Sequence, residues 1–585
     1  MSVKGRQNSC PFLFIRSFYE RKEKMPTISV DKNDLMQLIG RDYSVEQLED
    51  LLSCVKGELK EYSQETGQIK IELNDTNRPD LWCPEGIARQ IRFRSEELSY
   101  QLHSDRASPE KRIIVDENLK TIRPYVGAFI ARGIPVTEQF LVQMIQTQEK
   151  LCDTYGKKRE LVAIGIYDLK KIKFPVHYKG VAGSGIKFVP LGFEEEMSLD
   201  EILAKHPKGV EFAHLVNKHS LYPILLDDDS EVLSFPPIIN SKKGGEVSVG
   251  DQNLFIEITG TNIEMVMHSL NILAYNFKDR GFEIEPVQSC YPYPTDYGKE
   301  VISPYPLENE VEVELLLFGK YLGHPYTLEE IKGYLGRYGL SVREQDKDKI
   351  LVCSHPYRQD YMHPVDAVED LAISIGYENF KPIMAEEFTI GKLSKMTIFE
   401  DRVRDVMIGF GFEEVILNIL ANKEDFDQKV NGMCEDLIRI SNVMSESYSS
   451  LRNSLIPGIL KVEAKSSKSL YPHRVFEVGE VVERDETQNH GSLTRTKLAV
   501  LLCHAQANFS EIGSYLENLA YLMFWDLEIR ARNFPIFIKG RSGEIIVNDE
   551  SVGLIGEIHP EILEKWGIKM PTVIFELDLT KKAEG

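Results

Sequence analysis

IGRDYSVEQLEDLL at residues 39–52 and LGHPYTLEEIKGYL at 322–335 are two versions of one segment. Each carries a glycine, a tyrosine three residues on, then a hydroxyl residue followed by Gln or Glu (Ser44 with Gln47, Thr327 with Glu330) and apolar residues at helical spacing. A hydroxyl that caps the helix, answered by a side chain reaching back from the third position, marks a helix start. Both copies run on through a charged turn into an apolar segment, GQIKIEL (67–73) or DKILVCS (348–354), and end at a polar elbow before a proline-opened helix. The elbows read NDTNRPDLWCPEGIARQI (74–91) and HPYRQDYMHPVDAVEDLA (355–372), so an Arg-x-Asp pair recurs as Arg78/Asp80 and Arg358/Asp360. Agreement in this order of elements predicts a duplicated small α+β module, at 25–99 and 296–385, flanking a central insert.

The second elbow concentrates Asp360, Asp366, Glu369 and Asp370 around one helix start. Acidic side chains are favoured beside the positive end of a helix, and a charge run usually marks a solvated face. That covers Asp366 and leaves Asp360, which lies upstream. The i, i+3, i+4 spacing of Asp366, Glu369 and Asp370 stacks like charges on one face. A hard cation with oxygen ligands, Mg²⁺ above all, would offset the repulsion. On spacing alone both readings stand.

Asp plus Glu outnumber Lys plus Arg by 91 to 69, a net charge of −22 that argues against bulk, non-specific nucleic-acid binding and confines any RNA contact to a local patch. No run of eighteen apolar residues offers a membrane span. The eight cysteines are scattered without a CxxC pair, which indicates neither a disulfide framework nor a zinc site and fits a reducing cytoplasm. Residues 1–24 are basic with only a six-residue apolar run, CPFLFI, too short for a secretory core, and are expected to be an extension upstream of Met25.

The insert, 100–295, mixes strand-like stretches, VAIGIYDL and NLFIEITGT, with NIEMVMHSLNILAYNF, which reads as an amphipathic helix. After 386 a helix, TIFEDRVRDVMIGFGF, leads into β-rich segments including HRVFEVGEVVER and TRTKLAVLLCH, which predicts a helix-flanked antiparallel sheet. The expected fold class is therefore multidomain α+β.

Four motifs occur in an order similar to that of a known family: NDTNRPDLWCPEGIARQIR; VLSFPPIINS with LFIEITGT; YRQDYMHPVDAVEDLAISIGY; and NVMSESYSSLRNSLIPGIL with HRVFEVGE. The chain resembles, over nearly everything from Met25 onward, the β subunit of phenylalanine–tRNA ligase of the archaeal and eukaryotic type. The resemblance implies an (αβ)₂ tetramer whose α subunit attaches phenylalanine to tRNA(Phe) with ATP, while the β subunit supports tRNA binding and removes wrongly attached tyrosine. It also implies that Asp360, Asp366, Glu369 and Asp370 are Mg²⁺ ligands at a site shared with the α subunit, an ion that would aid assembly.

The last domain resembles a class II synthetase core that lacks its catalytic motifs. HRVFEVGE supplies Arg474, Glu477 and Gly479 in outline of the second motif, but Gly553 and Gly556 in GLIGEIHPEIL are followed by no arginine, so no cation is in place for the nucleotide's terminal phosphates. Arg474 is expected to be a structural ion-pair partner. In the insert, the positions matching the family's editing pocket are Leu225, Ser234, Asn240, Glu257 and Thr259. The resemblance implies that Leu225 lines the ring slot, that Glu257 with Ser234 and Thr259 receives the phenol hydroxyl, and that Asn240, after a stiff polyproline-like turn at Pro236–Ile239, holds the ester or terminal ribose. Lys242 and Lys243 are candidates for the acceptor-end phosphates. Tyr167 replaces a histidine frequent in the family, and Glu257 stands where many archaeal members have Asp. A scaffold of the same complex with editing lost is the alternative.

Overall fold

The computed structural model describes residues 27–582 apart from 97, 99, 101, 103–106, 308, 435 and 444; the extension expected over 1–24 lies outside them. Two compact units, Met1–Ile383 and Met384–Gly585, make up the chain.

Both small modules in the first unit have one plan. A strand leads into two short helices, then a hairpin whose second strand returns to the centre of a three-stranded antiparallel sheet. In the first module Gln68–Leu73 lies between Thr27–Asp31 and Gly57–Tyr62; in the second Lys349–Cys353 lies between Glu310–Glu314 and Ser341–Glu344. The helices Val45–Leu52 and Leu328–Gly336 both begin with the full capping box, Ser44 with Gln47 and Thr327 with Glu330. The proline-opened helices are Pro84–Arg92 and Pro364–Ile375.

The central body is a ten-stranded sheet in the order Ile239–Asn240, Val232–Phe235, Tyr222–Leu226, Val176–Val181, Arg112–Val115, Glu283–Thr295, Tyr125–Arg132, Asn253–Gly260, Val162–Asp168, with Gly298–Ser303 pairing with Glu283–Thr295. That last hairpin carries the sheet beyond the boundary at 295 expected from sequence. The helix Ile263–Asp279 is not amphipathic in the expected sense, because thirteen of its residues are buried, His268, Ser269, Asn271 and Asn276 among them. Its polar groups serve the two elbows: His268 Nε2 donates to Tyr357 O (2.7 Å), Asn271 to Pro356 O (3.0 Å), and Asn276 Oδ1 accepts from Arg89 (2.7 Å). The amides and the imidazole each meet a partner across the packing interface, while Ser269 Oγ and Asn271 Oδ1 stay buried without one.

The second unit is a seven-stranded sheet in the order Glu413–Glu414, His473–Arg484, Ser492–Cys503, Thr572–Asp578, Glu550–Ile558, Phe537–Val547, Leu527–Ala531, antiparallel except at the first pair. Helices Lys395–Gly409 and Phe509–Leu522 cover one face of the sheet and Ile456–Lys465 and Pro560–Trp566 the other, each over its own apolar core.

Candidate functional site

Three neighbouring strands of the central sheet set Leu225 opposite Ser234 and Ser234 opposite Asn240. Near the far end of the sheet, Glu257 is paired with Gly165. The sheet curls so that its ends meet. Tyr167, on the terminal strand Val162–Asp168, places its hydroxyl 2.8 Å from Glu257 Oε1 and 2.9 Å from Ser234 Oγ. Gly165 makes room for this contact, since a Cβ there would lie 2.2 Å from Tyr167 Oη.

Beside this junction opens a cavity of about 820 Å³, within the range of small-molecule sites. Ser234, Asn240, Glu257 and Thr259 line it. Leu225, opposite Ser234, is fully buried in the apolar core and is not part of the lining, to which Ile164 and Ile166 contribute apolar wall. The Pro236–Ile239 segment is a tight turn rather than a polyproline-like stretch, with Ile238 N–H donating to Phe235 O at 2.7 Å and the Pro236–Pro237 bond cis. Lys242 and Lys243 are paired with Glu194 and Glu231, each at 2.6–2.7 Å.

The electrostatics of the pocket are unusual for carboxylate chemistry. Burial raises the Glu257 carboxyl to about 7, against the lowering pull of the Tyr167 hydrogen bond and of Arg123. Its Oε2 is buried with no hydrogen-bond partner. Burial, then the Glu257 charge, pushes the Tyr167 phenol well above its ordinary value, so it stays a neutral donor. Arg123 Nε donates to Thr259 Oγ1 at 2.9 Å, which leaves the Thr259 hydroxyl proton available to the cavity. The Asn240 side-chain amide has no partner among the described residues and faces the same space. Sequence reasoning passed over Arg123, whose buried guanidinium also binds Thr259 O (2.7 Å) and the carbonyls of Arg159 and Glu160 (3.1 Å each). No motif surrounds it; its only signal is a lone cation just before the apolar strand Tyr125–Arg132.

The four elbow carboxylates diverge. Arg358, fully buried, forks onto Asp360 (3.0 and 2.6 Å) and reaches Asp370 Oδ2 (2.8 Å), which also accepts from Tyr361 Oη at 2.5 Å. Burial would raise the Asp360 carboxyl, but Arg358 and then Arg78 hold it well below the usual range. Asp366 Oδ2 accepts the N–H groups of Met362 (2.7 Å) and His363 (2.8 Å), the helix-start role. Glu369 pairs with Lys56 of the other module at 2.7 Å. Among the described residues no three His, Cys, Asp or Glu side chains converge to hold a metal ion. A guanidinium stands between Asp360 and Asp370, so the four do not fit a self-contained Mg²⁺ site. The first elbow repeats the clamp: Arg78 forks onto Asp80 at 2.8 Å twice and reaches Gln90 at 3.1 Å, where Gln90 occupies the place of Asp370.

Residues 25–97 match the family model described as the Phe-tRNA synthetase beta subunit B1 domain, 311–377 the tRNA synthetase B5 domain, and 382–579 the phenylalanyl tRNA synthetase beta chain CLM domain. The phenylalanine–tRNA ligase beta subunit of Borrelia hermsii is 38% identical over 562 residues, covering 95% of this chain and 100% of that one. The chain belongs to the phenylalanine–tRNA ligase β-subunit family. The β subunit of Borrelia recurrentis is 39% identical over 95% of this chain and 99% of its own length. An N-terminal fragment of the phenylalanyl-tRNA synthetase β subunit from Pyrococcus horikoshii is 41% identical, with a TM-score of 0.56, over 60% of this chain and the whole fragment.

In this member of the β-subunit family the C-terminal sheet is filled with its own charges. Glu477 pairs with Arg452 (2.8 Å), Lys497 with Glu483 (3.1 Å) and Glu576 (3.6 Å), and Arg495 with Glu483 (2.8 Å) and Asp578 (3.2 Å). Arg474 has no ion pair among the described residues, so the expected ion-pair role falls to Arg452. Gly553 and Gly556 serve packing: a Cβ on Gly553 would lie 2.0 Å from Glu576 O and one on Gly556 2.5 Å from the Phe537 ring. No helix among the described residues is long and apolar enough to cross a membrane.

Proposed function

We propose that the chain acts in the cytoplasm as the β subunit of an archaeal/eukaryotic-type phenylalanine–tRNA ligase, joined to an α subunit as an (αβ)₂ tetramer. In that assembly the α subunit would use ATP to charge tRNA(Phe), and the β subunit would support tRNA binding and hydrolyse Tyr-tRNA(Phe) in the central cavity.

The observation that carries the editing reading is the unpartnered, buried Oε2 of Glu257 on the cavity wall. A charging pocket built for an apolar ring rejects one extra hydroxyl by only about 10²-fold, whereas a site built to hydrogen-bond that hydroxyl discriminates far more strongly. A tyrosyl phenol donates to Oε2; a phenylalanyl ring leaves that acceptor buried and unpaired, at about 1–3 kcal/mol. Thr259 offers its hydroxyl proton to an ester oxygen, and Asn240 offers an amide to the ester or ribose. No serine or cysteine with an adjacent base lines the cavity among the described residues, so a positioned water is the nucleophile in this reading. Any Mg²⁺ would take only the surface oxygens left by Asp366 and Glu369 and be completed by the partner subunit.

The test is release of labelled tyrosine from Tyr-tRNA(Phe) by the chain co-expressed with an α subunit, with Phe-tRNA(Phe) as control. Preferential tyrosine release that vanishes in Asn240→Ala supports the reading. A complex that charges tRNA yet cleaves neither ester is a scaffold with a relic pocket.

A further inference from the structure

The cavity continues past Asn240 to a second end that the editing residues do not use. There the loop 189–193 is strapped to the Asn240 strand: Lys242 N–H donates to Val189 O (2.8 Å) and Leu191 N–H donates to Asn240 O (2.9 Å). Gly192, at φ +90°, lets the chain turn so that Phe193 N–H closes on Pro190 O (3.1 Å). His206, which is buried, donates from Nε2 to Leu191 O (3.2 Å) and accepts the Lys208 N–H on Nδ1 (3.1 Å), fixing a neutral ring beneath the loop. The Phe193 ring stands 4.9 Å from that imidazole and, half-exposed, lines the cavity.

Two cations line the same end. Arg159 lies over the Phe212 ring at 4.6 Å and Lys208 over it at 5.5 Å. Arg159 donates to the carbonyls of Pro237 (3.1 Å) and Ile238 (3.0 Å), while its Nε is buried with no hydrogen-bond partner. A phenylalanine that only filled core would need neither a loop fixed to Asn240 nor a solvent-facing side. At about 820 Å³ the cavity also has room for more than one amino acid.

We propose that Phe193 is the platform on which the terminal nucleobase of the acylated RNA strand stacks, with Arg159 and Lys208 flanking its ribose and phosphate. This rests on the editing reading, since it places the nucleoside on the far side of Asn240 from the acyl group. A base has a π-face whatever its identity, and aromatic stacking of one base is worth roughly a 5- to 150-fold change in affinity. Cations beside the platform add attraction to the backbone charge.

The experiment measures binding by the full chain, co-expressed with an α subunit, of 3′-tyrosylamino-3′-deoxyadenosine, in which an amide replaces the scissile ester, and of tyrosinamide, which has no nucleoside. Phe193→Ala is expected to weaken the adenosine analogue roughly 5- to 150-fold and leave tyrosinamide unchanged, with Phe193→Trp restoring the analogue. Equal affinity of Phe193→Ala and wild type for the analogue overturns the platform, as does an equal loss for both ligands. If the wild type does not bind the analogue, platform and editing reading both fall. If the binding pattern holds but no tyrosine is released from charged tRNA, the platform stands and the editing reading alone fails.

Discussion

The Tyr167 hydroxyl lies 2.8 Å from Glu257 Oε1, and both residues are buried, so one oxygen of the carboxylate is satisfied from within the protein and the other is not. An internal phenol thus occupies half of the acceptor expected to meet the substrate's phenol. Tyr167 holds one carboxylate oxygen and leaves Oε2 as the acceptor that the proposed editing reading assigns to the substrate's hydroxyl. Tyr167→Phe should cost about 1–3 kcal/mol, because Glu257 and Ser234 both lose a buried partner. It should also lower the preference for tyrosyl over phenylalanyl ester about tenfold, as the carboxylate becomes free to rotate. Chemical denaturation and paired deacylation assays check the two parts; unchanged selectivity would remove Tyr167 from the sensor.

The raised Glu257 carboxyl predicts a pH dependence of opposite sign for stability and for recognition. Folding raises it from 4.5 to about 7, so its contribution to stability is fully present below 4.5 and is lost as pH rises through about 7. Recognition gains in the same interval, since the ionised carboxylate is the stronger acceptor for a phenol proton. The KM for Tyr-tRNA(Phe) should fall from pH 6 to pH 8 relative to that for Phe-tRNA(Phe). Glu257→Gln should flatten that profile, and a variant that keeps the wild-type profile would assign the titration to another group.

Arg123 joins Thr259 to the turn carrying Arg159. Arg123→Lys keeps the charge but offers no planar fork for these oxygens. We expect at least a tenfold loss of tyrosyl-ester hydrolysis with aminoacylation by the complex unchanged, read from single-turnover deacylation beside a charging assay. Loss of both activities would show that Arg123 holds the fold rather than the pocket.

The duplicated module was legible because its signals are local. A capping box, an apolar hairpin strand and a proline-opened helix each write their residues within a few positions, and Ser44/Gln47 and Thr327/Glu330 make the contacts their spacing implies. The pocket was legible only by analogy, since Ser234 and Glu257 meet through Tyr167 across 67 and 90 residues of chain. The partners of the elbow carboxylates were hidden for the same reason. Spacing put Asp366, Glu369 and Asp370 on one helical face, but Arg358 draws Asp370 inward, the helix start takes Asp366, and Lys56, 313 residues away, takes Glu369. Burial also hid the polar side chains of Ile263–Asp279, which read as a solvent face and pack against the elbows.

The two elbow clamps make a paired stability test. Removing Arg358 strands Asp360 and Asp370 in the interior, and breaking a buried ion pair from one side costs about 3–5 kcal/mol. Arg358→Met should therefore lower the urea midpoint of the first unit sharply. Asp370→Asn should cost about 1 kcal/mol or less, because the first module holds Gln90, a neutral amide, on Arg78 at the same place. Equal loss from both variants would mean that the second clamp needs its full charge.

The C-terminal sheet offers a prediction about nucleotide. A class II site needs unpaired cations for phosphate oxygens, yet Arg452 is bound to Glu477, Lys497 to Glu483 and Glu576, and Arg495 to Glu483 and Asp578. Binding ATP there would break these pairs, the buried Arg452–Glu477 pair among them, and leave their carboxylates beside a polyanion. The cavity lined by Glu483, Arg495, Lys497, Glu576 and Asp578 is about 270 Å³, below the ~300–1,000 Å³ typical of small-molecule sites. Equilibrium dialysis of this chain alone against labelled ATP with Mg²⁺ should give no saturable binding below about 1 mM, a threshold near −4 kcal/mol. Arg452→Met should leave that result unchanged while lowering stability, since Glu477 loses its partner. Saturable binding lost in Arg452→Met would instead make the sheet a working nucleotide site that opens its own ion pairs.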